Sequence, residues 1–161
     1  MKCNGEQPRF IADFMLGRLA RWLRILGYDA KYVTEKNRFN SILESLRESR
    51  IILTRDHHLN VNGLEVIRIR NTHFGQQLLQ LTRETGLVVS RKQLLSRCAL
   101  CNTATKTITN KEEIRSLVPQ YVYETKDEFS QCPCCRRIYW RGSHLALLLS
   151  DLEKYGIKVN Q

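Results

Sequence analysis

The chain has 161 residues, of which 42% are hydrophobic and 26% charged, as expected of a globular protein with one ordinary domain or two small ones. No run approaches the roughly 18 apolar residues of a membrane span, and the first ten residues contain no apolar signal core, so we expect a cytoplasmic protein without membrane contact. The formal net charge of +10 favours a polyanionic partner such as nucleic acid, although solubility alone is the alternative interpretation.

The first predicted elements are a short buried strand that ends on an acid and an amphipathic helix. Phe10–Ala12 is apolar and Asp13 follows it, and the helix is predicted over 14–26. On a helical wheel, four leucines share one side of this helix and three arginines share the other. These residues are Leu16, Leu19, Leu23 and Leu26, against Arg18, Arg21 and Arg24. The basic side is a candidate guide for phosphate groups, and Gly27 is the predicted end of the helix.

The segments that follow alternate between strands and helices. Strands are predicted over 29–33, 51–53 and 64–69, and helices over 41–49 and 74–85. The first of these helices starts with a capping-box pattern from Ser41 to Glu44, and Thr72 is the candidate cap of the second. This alternation predicts an α/β fold with a parallel sheet flanked by helices.

Two acids, Asp13 and Asp56, each follow an apolar strand. Because the carboxyl ends of parallel strands meet at one edge of a sheet, we expect the two side chains to lie close together. Facing carboxylates repel each other and favour a divalent cation, and Mg²⁺ or Mn²⁺ there could activate water for phosphodiester hydrolysis. The alternative is that Asp56 caps a turn and Asp13 pairs with an arginine.

Basic residues near these acids could contact a phosphate backbone. Arg18, Arg21 and Arg55 are the candidates. His57 and His58 follow Asp56 and could reach the same edge, although adjacent histidines in a loop are more often solvent-exposed. Asp29 begins a strand and could join the same site, although a role in a turn is the favoured interpretation.

Five of the six cysteines lie in residues 98–161. Cys98 with Cys101, and Cys132 with Cys135, form two pairs with the spacing of a tetrahedral, structural zinc site. Cys134 makes the second pair ambiguous, and we choose Cys132 with Cys135 because this spacing matches the first pair. The alternative is a set of reduced thiols with accidental spacing.

The segments around the second cysteine pair are less distinctive. Between the pairs we predict a strand over 103–109 and a helix over 111–117 capped by Asn110. After them, Tyr139 and Trp140 could stack on bases, but packing of the ribbon against the first domain is the favoured interpretation. His144 begins an apolar helix over 145–152. It could contact substrate or have a structural role at the N-terminus of this helix.

Four segments in this order resemble the PIN-like ribonuclease domain found at the C-terminus of mutator-seven-type exonucleases and as a stand-alone prokaryotic protein. The segments are DFMLGRLARWLRILGYD, RIILTRD, SRCALCN and CPCCRRIYWRGSH, and the resemblance covers about residues 9–150. It implies a PIN-like α/β domain, which we place at 9–92, followed by a small C-terminal zinc ribbon at 96–155. It also implies metal-dependent RNA cleavage, with Asp13 and Asp56 as metal-binding acids and the four paired cysteines as zinc ligands.

One position departs from the family pattern. Members usually carry an aspartate near the start of the helix before RIILTRD, whereas this chain has Asn37 and Asn40, with Glu35, Glu44 and Glu48 as the nearby acids. We therefore expect a metal-dependent ribonuclease weakened by a missing acid. The alternatives are a non-catalytic RNA-binding or adaptor module with a degenerate site, and a module that binds a protein partner through the ribbon.

Overall fold

The structure is a computed structural model that describes residues 7–33 and 38–160, without the side chains of 38–41. Its strands are β1 (Phe10–Ala12), β2 (Ala30–Tyr32), β3 (Ile51–Thr54), β4 (Val66–Arg68), β5 (Val89–Ser90), β6 (Lys106–Thr107), β7 (Phe129–Gln131), β8 (Ile138–Trp140) and β9 (Val159–Asn160). Its α-helices are α1 (Gly17–Ile25), α2 (Arg38–Glu48), α3 (Phe74–Thr85), α4 (Gln120–Thr125) and α5 (Ser143–Lys154). None of these helices is both long and apolar enough to cross a membrane.

Four strands form a parallel sheet in the order β2-β1-β3-β4. The central strand β1 is buried along its whole length, as expected for an apolar strand covered on both faces. Its register places Ala12 beside Tyr32 of β2 and beside Leu53 of β3. The prediction of an α/β fold with a parallel sheet flanked by helices is therefore confirmed.

The leucine side of α1 and the turn before it lies in the largest hydrophobic cluster, between the sheet and the helices. All four predicted leucines are buried there: Leu16, Leu19, Leu23 and Leu26. Gly27 follows with a φ of 94°, and a Cβ at this position would lie 2.4 Å from the Gln93 carbonyl oxygen. Glycine is therefore required where the chain turns from α1 into β2.

A second, smaller sheet is antiparallel, in the order β6-β7-β8, and has its own hydrophobic cluster around Phe129. The helix that follows, α5, packs Leu148, Leu149 and Leu152 into the first cluster instead. β9 then pairs with β5. The segment 96–155 proposed for the ribbon thus includes a helix of the first core, because the chain leaves that core after β5 and returns to it with α5.

Two of the predicted helix N-caps, Ser41 and Thr72, are wrong. α2 begins at Arg38, so Ser41 lies inside the helix and is not its N-cap. A Ser-x-x-Glu pattern does not itself stop a helix from starting earlier when the preceding residues accept helical geometry. α3 covers the predicted range, but its N-cap is His73 rather than Thr72 and makes no side-chain capping bond.

The segment between the two cysteine pairs is less regular than predicted. The strand predicted over 103–109 is reduced to β6, and the helix predicted over 111–117 is one 3₁₀ turn. Asn110 does cap this turn, because its side chain accepts a hydrogen bond from the Glu112 N–H at 3.2 Å. Pro119 disfavours helical geometry in the residue before it, which explains why the turn does not continue. The helix after this proline, α4, was not predicted.

Candidate functional site

The acidic edge of the parallel sheet forms where β1 and β3 end side by side. Asp13 follows β1, and its backbone N–H donates to the Leu53 carbonyl at 3.0 Å. Its Oδ1 accepts from the Met15 N–H at 2.9 Å and so caps a 3₁₀ turn. Its Oδ2 accepts from the Thr54 hydroxyl and from the Arg55 N–H, the latter at 3.1 Å. These donors hold the carboxylate at the end of the strand.

Asp56 reaches the same edge through the turn that follows β3. Its backbone N–H donates to the Thr54 hydroxyl oxygen at 2.9 Å, and its Oδ1 accepts from the His58 N–H at 2.8 Å. The Thr54 hydroxyl therefore connects both acids, and its side chain is buried. Thr54 is absent from the predicted site residues, although its position between a buried strand and an acid was a usable signal.

Both acids line one cavity of about 460 Å³. Arg55, His57 and His58 line it as well, so the structure brings these predicted residues together with Asp13 and Asp56. The two acids and Arg55 are partly buried, while both histidines are exposed. A cavity that combines carboxylates with an arginine can accept a cation and an anionic group side by side.

Two of the apolar side chains that line this cavity are large and exposed to solvent. Phe14 and Met15 line it and are 43% and 51% exposed. They follow Asp13 directly, because the 3₁₀ turn that Asp13 caps displaces them from the leucine side of α1. The cavity therefore offers an apolar surface next to its polar groups, a combination suited to a base and its phosphate.

The other predicted substrate contacts lie outside the described lining of this cavity. Arg18 and Arg21 are exposed on α1, and the Arg18 guanidinium lies 5.5 Å from the ring centroid of Phe74. Arg21 and His144 together line a separate groove between α1 and the ribbon. The predicted set is thus divided between two places on the surface.

The described lining of the acidic cavity contains two carboxylates, those of Asp13 and Asp56. Glu44 and Glu48 pair with Lys31 at 3.1 and 3.0 Å. Hydrogen bonds from Arg50 and Lys31 lower the pKa of Glu48. Both glutamates are therefore engaged in ion pairs. The remaining candidates for the middle acid position lie outside the described residues: Glu35, Asn37 and the side chain of Asn40.

Arg24 does not belong to the basic side of α1, which corrects the prediction. Its side chain is 8% exposed, and burial lowers its pKa. Its Nε donates to the Ala30 carbonyl at 2.7 Å, and its Nη1 donates to the Leu100 carbonyl at 2.8 Å and to the Ala99 carbonyl at 3.3 Å. The wheel angle alone could not show that the first cysteine turn covers this end of the helix.

Asp29 lies at the opposite end of the sheet from the acidic edge. It accepts two hydrogen bonds from Arg50, at 2.7 and 2.9 Å, and one from the Asn102 side chain at 2.7 Å. Asn102 also accepts from the Ala30 N–H at 3.1 Å. Burial raises the pKa of Asp29, but the bonds from Arg50 and Asn102 outweigh it and hold the pKa below its ordinary value. Asp29 thus joins the sheet to the first cysteine turn.

The four paired cysteines come together as predicted. The Sγ atoms of Cys98, Cys101, Cys132 and Cys135 all lie within 4.8 Å of one another, so this group could hold a metal ion. The Cys101 N–H donates to the Cys98 sulfur at 3.2 Å, and the Cys135 N–H donates to the Cys132 sulfur at 3.5 Å. Cys134 is exposed and stands outside the group.

Tyr139 connects the cysteine group to the ribbon sheet. Its hydroxyl lies 3.0 Å from the Cys98 sulfur and accepts from the Ala99 N–H at 3.1 Å. Burial would raise the pKa of the Cys98 thiol, but hydrogen bonds from the Cys101 N–H and the Tyr139 hydroxyl lower it to about 6. Cys98 therefore favours thiolate, the form that binds metal, whereas a hydrogen bond with Cys135 and burial raise the pKa of Cys101.

The family model described as the Mut7-C RNAse domain matches residues 8–150 of the chain. This range includes the acidic edge, the four grouped cysteines and the start of α5. Comparison with curated proteins and with solved structures yields no match.

Proposed function

The chain belongs to the Mut7-C RNAse domain family, and on this premise we propose that it is a metal-dependent ribonuclease that hydrolyses RNA phosphodiester bonds. The observation that carries the proposal is the shared cavity of Asp13, Asp56 and Arg55 at the carboxyl ends of adjacent parallel strands. Ligands of open α/β sheets bind at this edge.

The donor set of the cavity fits a hard divalent cation, because carboxylate oxygens are the ligands that Mg²⁺ and Mn²⁺ prefer. Such an ion would supply charge neutralisation and an activated water. Asp13 and Asp56 would hold it, and Thr54 would keep the Asp13 carboxylate in one orientation. Arg55 would hold the phosphate group, and Phe14 offers an exposed ring for an adjoining base.

A test of this function is incubation of the purified protein with single-stranded and structured RNAs plus Mn²⁺. We expect cleavage by the unmodified chain and its loss in Asp13→Asn, which keeps the shape of the side chain but removes its charge. Asp151→Asn is the matched control, because Asp151 is an exposed acid on α5. Cleavage that is equal in the two variants would remove Asp13 from the site.

One observation favours a second function, a non-catalytic RNA-binding or adaptor module. PIN-type sites usually need three or four carboxylates, and two line the described part of this cavity. In that case the affinity for RNA would fall with rising salt concentration, and neither Mg²⁺ nor Mn²⁺ at any concentration would produce RNA cleavage.

We also propose that the four grouped cysteines hold one structural Zn²⁺. Four soft thiolates leave no open position for a substrate, which is the arrangement of structural zinc sites. The N–H bonds to the Cys98 and Cys132 sulfurs fit bound thiolates. A cytoplasmic location belongs to the same proposal, because reduced thiols persist in that compartment.

A further inference from the structure

A second groove, of about 480 Å³, lies between α1 and the ribbon. We call it the seam groove, and its defining residues are Arg21, Trp22, Ile25, Tyr139, Trp140 and His144. Among the described residues, none lines both this groove and the acidic cavity. The volume of the groove lies within the range of about 300–1,000 Å³ typical of ligand sites.

Both tryptophans of the chain line this groove. Trp22 comes from α1 and packs against Phe74, with 5.5 Å between ring centroids. Trp140 ends β8 and packs against Phe129 at 6.5 Å. Each indole is only partly buried, so another ring supports it while part of its surface faces the groove. Such rings are stacking platforms for unpaired bases.

Polar side chains, one of them a cationic arginine, accompany the two tryptophans. Arg21 and His144 are exposed and line the groove. Arg18 continues the positive charge along α1, because its guanidinium lies over Phe74, the ring that contacts Trp22. Arg18 and Arg21 are three residues apart, or about 4.5 Å along the helix axis. One 3₁₀ turn joins Asp13 to the start of α1, so Arg21 and then Arg18 lead from the groove toward the acidic edge.

The ribbon wall of the groove is held in place by the cysteine group. Tyr139 lines the groove, and its hydroxyl is bound to the Cys98 sulfur and the Ala99 N–H. Trp140 is the next residue and belongs to the hydrophobic cluster of the ribbon. The groove is therefore preorganised, which lowers the cost of ordering side chains when a ligand binds.

We propose that the seam groove binds unpaired bases of single-stranded RNA and that α1 guides the strand from there to the acidic edge. This inference rests on the proposed function, which identifies RNA as the polyanion that binds. Stacking requires exposed base faces, which a duplex does not offer, and the cations match a phosphate backbone. A purely apolar peptide would leave Arg21 without complementary charge.

Tryptophan fluorescence provides a direct test, because Trp22 and Trp140 are the two tryptophans in the sequence and both line the groove. The purified chain of 161 residues is titrated with a 12-nucleotide oligouridine at low salt, without added divalent metal and without chelator. We expect quenching that saturates at the same RNA concentration as the fluorescence anisotropy of the labelled oligonucleotide. A duplex RNA of equal length should not quench, and Trp22→Phe and Trp140→Phe should each remove part of the signal.

Charge variants complete the test. Arg21→Ala should lower the slope of log affinity against log salt by about 0.7, the value for one phosphate contact on a single strand. Arg21→Ala combined with Trp22→Leu should weaken binding about fivefold or more. Arg83→Ala is the matched control, an exposed arginine on α3 outside the described lining of the groove. Circular dichroism checks that each variant is folded. If the variant with Trp22→Leu does not fold, the double variant Arg21→Ala with Trp22→Phe replaces it in the binding measurement.

RNA binding without tryptophan quenching, or equal effects of Arg21→Ala and Arg83→Ala, would overturn the inference. Absence of RNA binding at low salt would overturn it too and would leave a protein partner as the occupant to be sought. Failure of the nuclease is distinguishable from these results. Asp13→Asn should abolish cleavage while quenching persists, and quenching by a chain that cleaves nothing would contradict only the proposed catalysis.

Discussion

The Thr54 hydroxyl donates a hydrogen bond to the Asp13 carboxylate across the end of two adjacent parallel strands. The same oxygen accepts from the Asp56 backbone N–H, so one buried side chain positions both acids. Thr54→Val keeps the shape but removes these bonds. We expect a loss of about 1–3 kcal/mol in the free energy of unfolding, because the partly buried Asp56 N–H loses its partner and the Asp13 Oδ2 atom keeps only the Arg55 N–H.

The same variant should lower RNA cleavage by about 10- to 100-fold, the range for residues that orient a metal-binding group. Thr54→Ser is the control, since it keeps the hydroxyl. Urea unfolding and the Mn²⁺ dependence of cleavage would be measured for both. If valine and serine behave alike, the hydroxyl has no positioning role.

Arg50 and Asp29 form a largely buried ion pair at the other end of the sheet, with side chains that are 5% and 16% exposed. Asp29→Asn should destabilise the chain at pH 7 by about 3 kcal/mol, because the buried Arg50 then keeps only its ion pair with the more exposed Glu48. The folded pKa of Asp29 lies below its ordinary value of 3.8, so its contribution is present above that value and disappears as the pH falls through the lower, folded pKa.

The measurement is urea unfolding of the unmodified chain and of Asp29→Asn at several pH values between 7 and 3. Their difference should be constant at neutral pH and shrink at the acid end. A difference that grows on acidification would contradict the sign of the pKa shift. Asp151→Asn, at an exposed position, should show little difference throughout.

Arg24 donates to carbonyls of both the sheet and the first cysteine turn. Arg24→Lys cannot reach all of them, because lysine lacks the planar fork of the guanidinium. We expect the cysteine turn to open more readily and the bound metal to be lost to a chromogenic chelator at a higher rate. Arg21→Lys, on the exposed side of α1, should release metal at the unmodified rate. Equal rates in the two variants would show that Arg24 has no influence on the metal site.

Metal content tests the cysteine group. Protein purified without chelators should contain about one zinc per chain, and Cys98→Ser should lose the metal together with the folded ribbon. Cys134→Ser is the control, because Cys134 is exposed and outside the four-cysteine group. Atomic absorption and limited proteolysis would follow both properties. Zinc loss in Cys134→Ser alone would require a different ligand set.

Much of the fold follows from local patterns in the sequence. Short apolar runs bounded by charge predicted the parallel strands, and the position of Asp13 and Asp56 after such runs placed both at one edge. The cysteine spacing predicted the four-cysteine group. In each case one physical constraint, strand direction or metal geometry, determines the outcome without knowledge of distant packing.

Features that depend on contacts between distant segments could not be predicted from local sequence patterns. On a helical wheel, Arg24 lies on the same side of α1 as Arg18 and Arg21. It is buried because the first cysteine turn packs against this end of the helix. Thr54 lies just beyond the strand predicted over 51–53, and although its position was a signal, its bonds to both acids appear only in the folded chain. Trp22 and Trp140 are 118 positions apart, a separation given by their numbers in the sequence, and only the folded chain brings them to one groove.

The return of α5 and β9 to the first core has a consequence for synthesis on the ribosome. Leu148, Leu149, Leu152 and Ile157 complete a hydrophobic cluster whose other buried members lie before residue 95, and β9 supplies the partner of β5. During synthesis, the last apolar surface of the first core therefore stays uncovered until the entire ribbon and α5 have left the ribosome. A chain that fails to close the cysteine group during this interval would present that surface to chaperones or to other unfinished chains.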